Sequence, residues 1–255
     1  MTRRLALVAL WLCAGHLAWL ALFWGLLQVP ESSVWTLGLS GIIALVLVAL
    51  GGAIHAGASA AWQAHGFAAG VGAGAGRLHA AIAAGLVFGA IWWTTAAVMA
   101  WHGEISGQID AIYIARTGRA GTGWIHAAIF WGVMFVRWSL GLTLAVSLLA
   151  ALVGDGTSAT GRAVTRAALS PRHFLAVTFW LVLLVAIPWQ LVSWRPAGLG
   201  VAAEPWLVAA KLALVALAMS TGWALVLRAG CVGYRSSLQA RPPASARETQ
   251  AAARP

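Results

Sequence analysis

The chain has 255 residues, of which 61% are hydrophobic and 9% charged, with a mean hydropathy of +0.85. Soluble domains carry about a quarter charged residues, so a soluble globular domain, a disordered chain and a coiled coil are excluded, and a polytopic membrane protein remains. The net charge of +10 would point to nucleic acid in a soluble protein. Here the basic residues flank apolar runs, so they are expected to orient the chain and meet anionic lipid headgroups at the inner face, with no nucleic-acid partner.

A helix needs about 20 mainly apolar residues to cross a bilayer. Six runs meet that length, which predicts an all-α bundle of six transmembrane helices. The first run, Leu5–Leu27, follows Arg3 and Arg4. It is too long for the apolar part of a signal peptide, and no small-x-small cleavage site follows, so it reads as a retained helix. His16 lies well inside this run with Cys13 on the same face, and a core histidine bonded to a neighbouring helix is its simplest role. Residues 28–33 form a short link to the second run, Val34–Ile54. Residues 55–78 are rich in Ala and Gly, which predicts a flexible stretch with an interfacial helix before its glycines.

The third run, His79–Ala100, contains Gly85 and Gly89 in the G-x-x-x-G spacing of close helix packing. In residues 102–123, Ile105, Ile109, Ile112 and Tyr113 recur at helical spacing among Glu104, Gln108, Asp110 and Arg116. That pattern predicts a short amphipathic helix lying on the outer surface and ended by Gly118. The fourth run, Trp124–Val153, has about 45 Å of helix for roughly 30 Å of hydrocarbon. It carries Arg137, which either sits in the membrane core or snorkels to the outer headgroups; the excess length favours the second. Ser139, Thr143 and Ser147 repeat every four residues on this helix, a stripe suited to hydrogen-bonding neighbours. Arg137 and Ser139 point in nearly opposite directions, so a deep Arg137 requires the helix to be enclosed on both sides. Residues 154–172 make a basic inner loop. The fifth run, His173–Trp194, contains Pro188, which is expected to kink it. The sixth is Pro205–Leu227. A six-helix domain over 1–234 is thus followed by a polar tail, 235–255, expected to be disordered.

With the N-terminus inside, eleven basic residues fall on the inner side: Arg3, Arg4, Arg77, Arg162, Arg166, Arg172, Arg228, Arg235, Arg241, Arg247 and Arg254. Three fall outside, Arg116, Arg119 and Arg195. This asymmetry predicts that both termini are cytoplasmic in a bacterial inner membrane. Trp24, Trp35, Trp101, Trp124, Trp194 and Trp206 mark the outer end of each helix in turn, as interfacial anchors would.

The motifs of hydrolases, zinc proteases and P-loop proteins are missing from the sequence. Glu31, Glu104, Asp110, Asp155, Glu204 and Glu248 all fall in loops or the tail, which disfavours a proton-coupled or cation carrier. Three function classes follow. The first is a non-catalytic membrane component: a scaffold, an assembly factor or a subunit that meets protein partners in the membrane. The second is a carrier for an apolar or anionic solute, contacted by Arg137, Ser139, Thr143 and Ser147. The third is a redox protein holding haem b between histidines of matching depth: His102 with His126 at the outer end, and a pair from His55, His79 and His173 at the inner end. No cofactor or metal is expected on the first two readings. Glu104 and Asp110 with His102 and His126 form either an outer polar cluster or, more simply, a solvated loop.

Overall fold

The computed structural model describes residues 2–30, 32–119, 122–156, 170–194 and 204–239, together with Gly161 and Val164. All regular structure among them is helical, and six helices are long and apolar enough to cross a membrane. Glu31, Arg162, Arg166, Arg195 and the segment 240–255, with its basic residues, prolines and Glu248, lie outside the described residues.

Helix α1, Thr2–Leu27, packs antiparallel to α2, Val34–Gln63. Ser33 starts α2 through a reciprocal capping box: its hydroxyl accepts from the Thr36 N–H while the Thr36 hydroxyl accepts from the Ser33 N–H. Two tryptophans then fasten the hairpin. Trp11 Nε1 donates to the Ile54 carbonyl at 2.9 Å and Trp19 Nε1 to the Leu47 carbonyl at 3.0 Å. An indole N–H left unpaired in hydrocarbon is costly, so these bonds fix the register as well as adding attraction.

Residues 55–78 depart from the flexible stretch that their glycines suggested. Helix α2 continues to Gln63, and α3, Phe67–Ala75, folds back along it. The glycines serve close approach. A Cβ at Gly74 would stand 2.4 Å from the Ala56 carbonyl oxygen, and one at Gly70 would stand 2.7 Å from the Ala61 Cα. Small residues on both helices let the backbones touch.

Helix α4 runs unbroken from Leu78 to Thr117. Its 40 residues span about 60 Å, twice the hydrocarbon thickness. The predicted amphipathic segment is therefore no separate surface helix: it continues α4 beyond the membrane-length part. No proline interrupts it, and side-chain bonds described below tie it to α5. It ends where expected, at Gly118, which takes the left-handed conformation with φ +66°. A Cβ at Gly85 or Gly89 would meet nothing within 4 Å, so among the described residues the G-x-x-x-G pair brings no other helix close.

Helix α5, Gly123–Asp155, is the most enclosed of the six, and it widens into a π-turn over Phe135–Leu140. Helix α6, Pro171–Val192, has a similar wide turn over Val182–Ala186, directly before Pro188. Proline removes an N–H and crowds the carbonyl four residues back; the wide turn sits at that carbonyl, Leu184, against which Gly222 of α7 packs. Helix α7 runs from Glu204 to Gln239, well past Leu227 and into the segment expected to be disordered. Its buried residues, with those of α2 and α5, supply much of the core: Ile54, Ala58, Val146, Leu149, Val226 and Leu227.

The two ends of the packed helices differ. At one, Arg4 donates to the His65 carbonyl, Arg235 to the Gln63 carbonyl and Gln63 to the Ala150 carbonyl. At the other, Trp24, Trp35, Trp101, Trp124, Trp194 and Trp206 are all exposed.

Candidate functional site

Between α2, α4, α5 and α7, with Trp19 of α1 at its edge, lies a cavity of about 560 Å³. Small residues make the room: Gly51 and Gly52 on α2, Ala84 and Gly85 on α4, Ala145 on α5. Aromatic rings wall it, with Phe88 6.1 Å from Trp138 and Trp223 on the α7 side.

His55 is the ionisable side chain in this lining. Its Nδ1 is 2.7 Å from the Gly51 carbonyl. A carbonyl only accepts, so Nδ1 carries the proton and Nε2 presents a lone pair. The His16 ring lies 5.3 Å away and the edge of Trp223 6.1 Å away, centroid to centroid. Trp223 Nε1 is buried without a hydrogen-bond partner. The cavity is thus bordered by one imidazole and one indole ring, the indole N–H buried without an acceptor.

The sequence alone does not pair His16 with His55, for a physical reason. Counted from the short link, the two residues differ in depth by ten positions, about 15 Å of helix. The hairpin is offset, as the Trp11 and Trp19 bonds show. Side chains also lean toward the start of their own helix, so on antiparallel helices the two imidazoles lean toward each other. Only the tryptophan bonds could have signalled the offset, and their partners are backbone carbonyls that a sequence does not reveal.

Arg137 is 8% exposed, so it does not reach solvent. Its Nε donates to Thr95 Oγ1 at 2.9 Å, and its guanidinium lies 4.2 Å over the Trp92 ring. The Thr95 hydroxyl gives its own proton to the Ile91 and Trp92 carbonyls, which leaves its oxygen free to accept. Thr95 is six residues, about 9 Å, below Trp101 along α4. The side chain leans toward the tryptophan end, yet it stays beneath the tryptophan level and inside the protein. Among the described residues no carboxylate pairs with it. Trp92 meets Trp138 edge-on at 5.3 Å, so the Arg137 contact backs one wall of the cavity without opening into it.

Ser139, Thr143 and Ser147 are buried on a different face. Thr143 donates to the Ser139 carbonyl at 2.6 Å and Ser147 to the Thr143 carbonyl at 2.7 Å. With its proton so placed, Ser147 Oγ accepts from His173 Nε2 at 3.0 Å. His173 Nδ1 is then an unprotonated, buried nitrogen without a partner, pressed against Gly233. The stripe joins α5 to its neighbours and does not meet Arg137. Since Arg137 and the stripe are both buried, α5 is enclosed on both sides.

At the tryptophan end, His102 Nε2 lies 2.9 Å from His126 Nδ1, and His126 Nε2 2.8 Å from Asp110. These bonds join the projecting part of α4 to α5. The Thr122 hydroxyl and His126 hold the Asp110 carboxyl below its ordinary range. Glu104 is exposed outside this group. The expected outer histidine pair is therefore adjacent, with both nitrogens of His126 in hydrogen bonds. The inner candidates do not meet one another: His55 faces His16, His173 faces Ser147, and His79 is exposed. Among the described residues no group of three metal-ligating side chains forms.

Comparison with known proteins gives no match to a family model, to a curated protein or to a solved structure.

Proposed function

We propose that this chain is a non-catalytic, multi-pass component of a bacterial inner membrane that holds an apolar molecule of the bilayer phase in the α2–α4–α5–α7 cavity. The observation that carries the reading is the cavity itself: about 560 Å³ of space walled by aromatic and small residues, within the range of small-molecule pockets. Such walls offer contact area and no charge, so the occupant is an apolar chain or ring with one polar group at His55 and Trp223. A carrier or a subunit of a larger assembly would each use such a site. The anionic solute of the second class has less support, because Arg137 is engaged by Thr95 and Trp92 and does not line this cavity.

Both termini lie on the cytoplasmic side in this proposal. Its support is the grouping of Arg4 and Arg235 around the end of α2, opposite six exposed tryptophans. A reporter fused after Gln250 should be active only in the cytoplasm; activity outside would reverse the orientation.

Gly85→Leu tests the cavity. A side chain there has open space and fills the pocket without striking backbone. Protein purified from its own host should carry a defined apolar molecule by mass spectrometry, and the variant should fold but lose most of it. Equal retention by the filled variant, or none by either protein, refutes the reading. The same gentle purification weighs the complex: a stoichiometric second protein marks a subunit, and its loss leaves the carrier.

One observation favours haem b as a second reading. His55 is held through Nδ1 by a backbone carbonyl, as ligating histidines often are, and His16 stands beside it. Among the residues lining the cavity, however, there is no cation to meet haem propionates, so the apolar occupant comes first. A reduced-minus-oxidised spectrum of membranes grown with haem decides between them.

A further inference from the structure

A second cavity, about 440 Å³, opens at the arginine-rich end and is lined by Arg4, Trp62, Arg228, Cys231, Val232 and Arg235. Three of these six residues are cations and none is a carboxylate. Asp155 lines an adjoining cavity that shares Arg235 and accepts from Tyr234 at 2.6 Å. Arg4 and Arg235 are oriented by one terminal nitrogen each, on the carbonyls of His65 and Gln63. Arg228 lies 5.7 Å over the Trp62 ring. Those contacts alone describe arginines settled on the end of a helix. Trp62 adds an independent observation: it is 8% exposed, lines the cavity, and its Nε1–H is buried with no acceptor. A buried donor without an acceptor costs free energy, which a small turn of the indole toward an oxygen-rich anion in this cavity would relieve.

We infer that this cavity binds a phosphate group, carried by an anionic phospholipid or free in solution. Arginine forks match phosphate oxygens. Trp62, Cys231 and Val232 give the cavity an apolar side, and Val232 is 53% exposed on the outer surface of α7. Charge and apolar surface therefore meet where a headgroup joins its chains, which favours the lipid as source. This site is independent of the apolar cavity and stands if that reading fails.

The test uses the full chain purified in dodecyl maltoside. Native mass spectrometry counts retained dioleoyl phosphatidylglycerol against dioleoyl phosphatidylcholine, and a parallel melting experiment compares millimolar inorganic phosphate with chloride at equal ionic strength. The wild type should prefer phosphatidylglycerol. Loss of one charge-assisted contact in Arg228→Gln or Arg235→Gln should lower retention about tenfold. Arg3→Gln, at the same end but outside the lining, should change nothing. Stabilisation by phosphate without lipid preference supports the site and names free phosphate as the source. Equal losses in Arg3→Gln and the lining variants reduce the effect to general surface charge and overturn the proposal, as does the absence of both lipid preference and phosphate stabilisation. If Arg228→Gln does not fold, the exposed Arg235 carries the test.

Discussion

Replacing Gly74 by Ala should destabilise the protein, whereas the same change two residues earlier should not. Alanine is favoured over glycine in a helix interior by about 1 kcal/mol, and α3 offers both sites that gain. At Gly72 a Cβ meets nothing within 4 Å, so the gain is kept. At Gly74 it would meet the Ala56 carbonyl oxygen at 2.4 Å, the Ala60 Cβ at 2.6 Å and the Gly57 Cα at 2.8 Å. Two of these atoms are backbone and the third is a methyl fixed to it, so no flexible end can yield. Overpacking of this kind costs about 1–3 kcal/mol, occasionally more. The net effect at Gly74 is a loss of up to about 2 kcal/mol, which lowers the melting temperature by up to roughly 8 °C in a chain of this size. Intrinsic tryptophan fluorescence during heating in detergent reads it. Gly72→Ala should melt at or slightly above the wild type. Equal melting temperatures for the two variants would refute the close α2–α3 contact and return residues 67–75 to a loosely held segment.

Arg137→Met should be neutral or stabilising by about 1–4 kcal/mol, because a buried charge without a carboxylate gives up more hydration than its contacts return; Arg137→Lys, which cannot reproduce the planar contact with Trp92, should destabilise. A large loss in the Met variant would overturn that balance. Ser147→Ala should cost about 1–3 kcal/mol, since it leaves both ring nitrogens of the buried His173 without partners; an unchanged melting temperature refutes the Ser147–His173 bond. Asp110→Asn should speed hydrogen exchange in residues 103–117 at neutral pH. The Asp110 carboxyl titrates below its ordinary value in the folded state, so its tie is fully present above about pH 4 and is lost as the pH falls through the lower folded value. Exchange in the wild type should then approach that of the Asn variant, and a constant difference at all pH values contradicts the tie.

Six apolar helices were legible because bilayer thickness imposes a length and composition that no other force erases. Helix continuity was less so. Residues 55–75 hold enough glycine to suggest flexibility, but glycine reads alike whether it serves freedom or contact, and only the facing alanines at 56, 60 and 61 decide. The α4 extension was recognised by its periodicity and misplaced in space: a 3.6-residue pattern gives a helix and its face, not its angle to the membrane. His102 and His126 met as their equal depths implied. His16 and His55 did not follow from depth, because the offset of their hairpin is set by indole bonds to backbone carbonyls. Arg137 could be placed only once Thr95 and Trp92 gave α4 as a ruler.

The two cavities follow one another along α2 and α7, and the question is whether one amphiphile could fill both. His55 and Trp62 are seven residues apart on one face of α2, about 10 Å, and Leu227 and Cys231 are one turn apart on α7. A lipid with its headgroup among the arginines and a chain beside His55 would span that distance. The level between them is closed, however. Ser59 of α2 and Cys231 of α7 are buried and in contact at 3.6 Å between oxygen and sulfur. The occupants should therefore be separate, and their losses additive, as for sites without shared partners. Gly85→Leu should leave phosphatidylglycerol retention unchanged, and Arg235→Gln should leave the apolar molecule in place. A fall in phosphatidylglycerol retention in Gly85→Leu, with the fold intact, would show one ligand crossing the Ser59–Cys231 level and would merge the two sites into one.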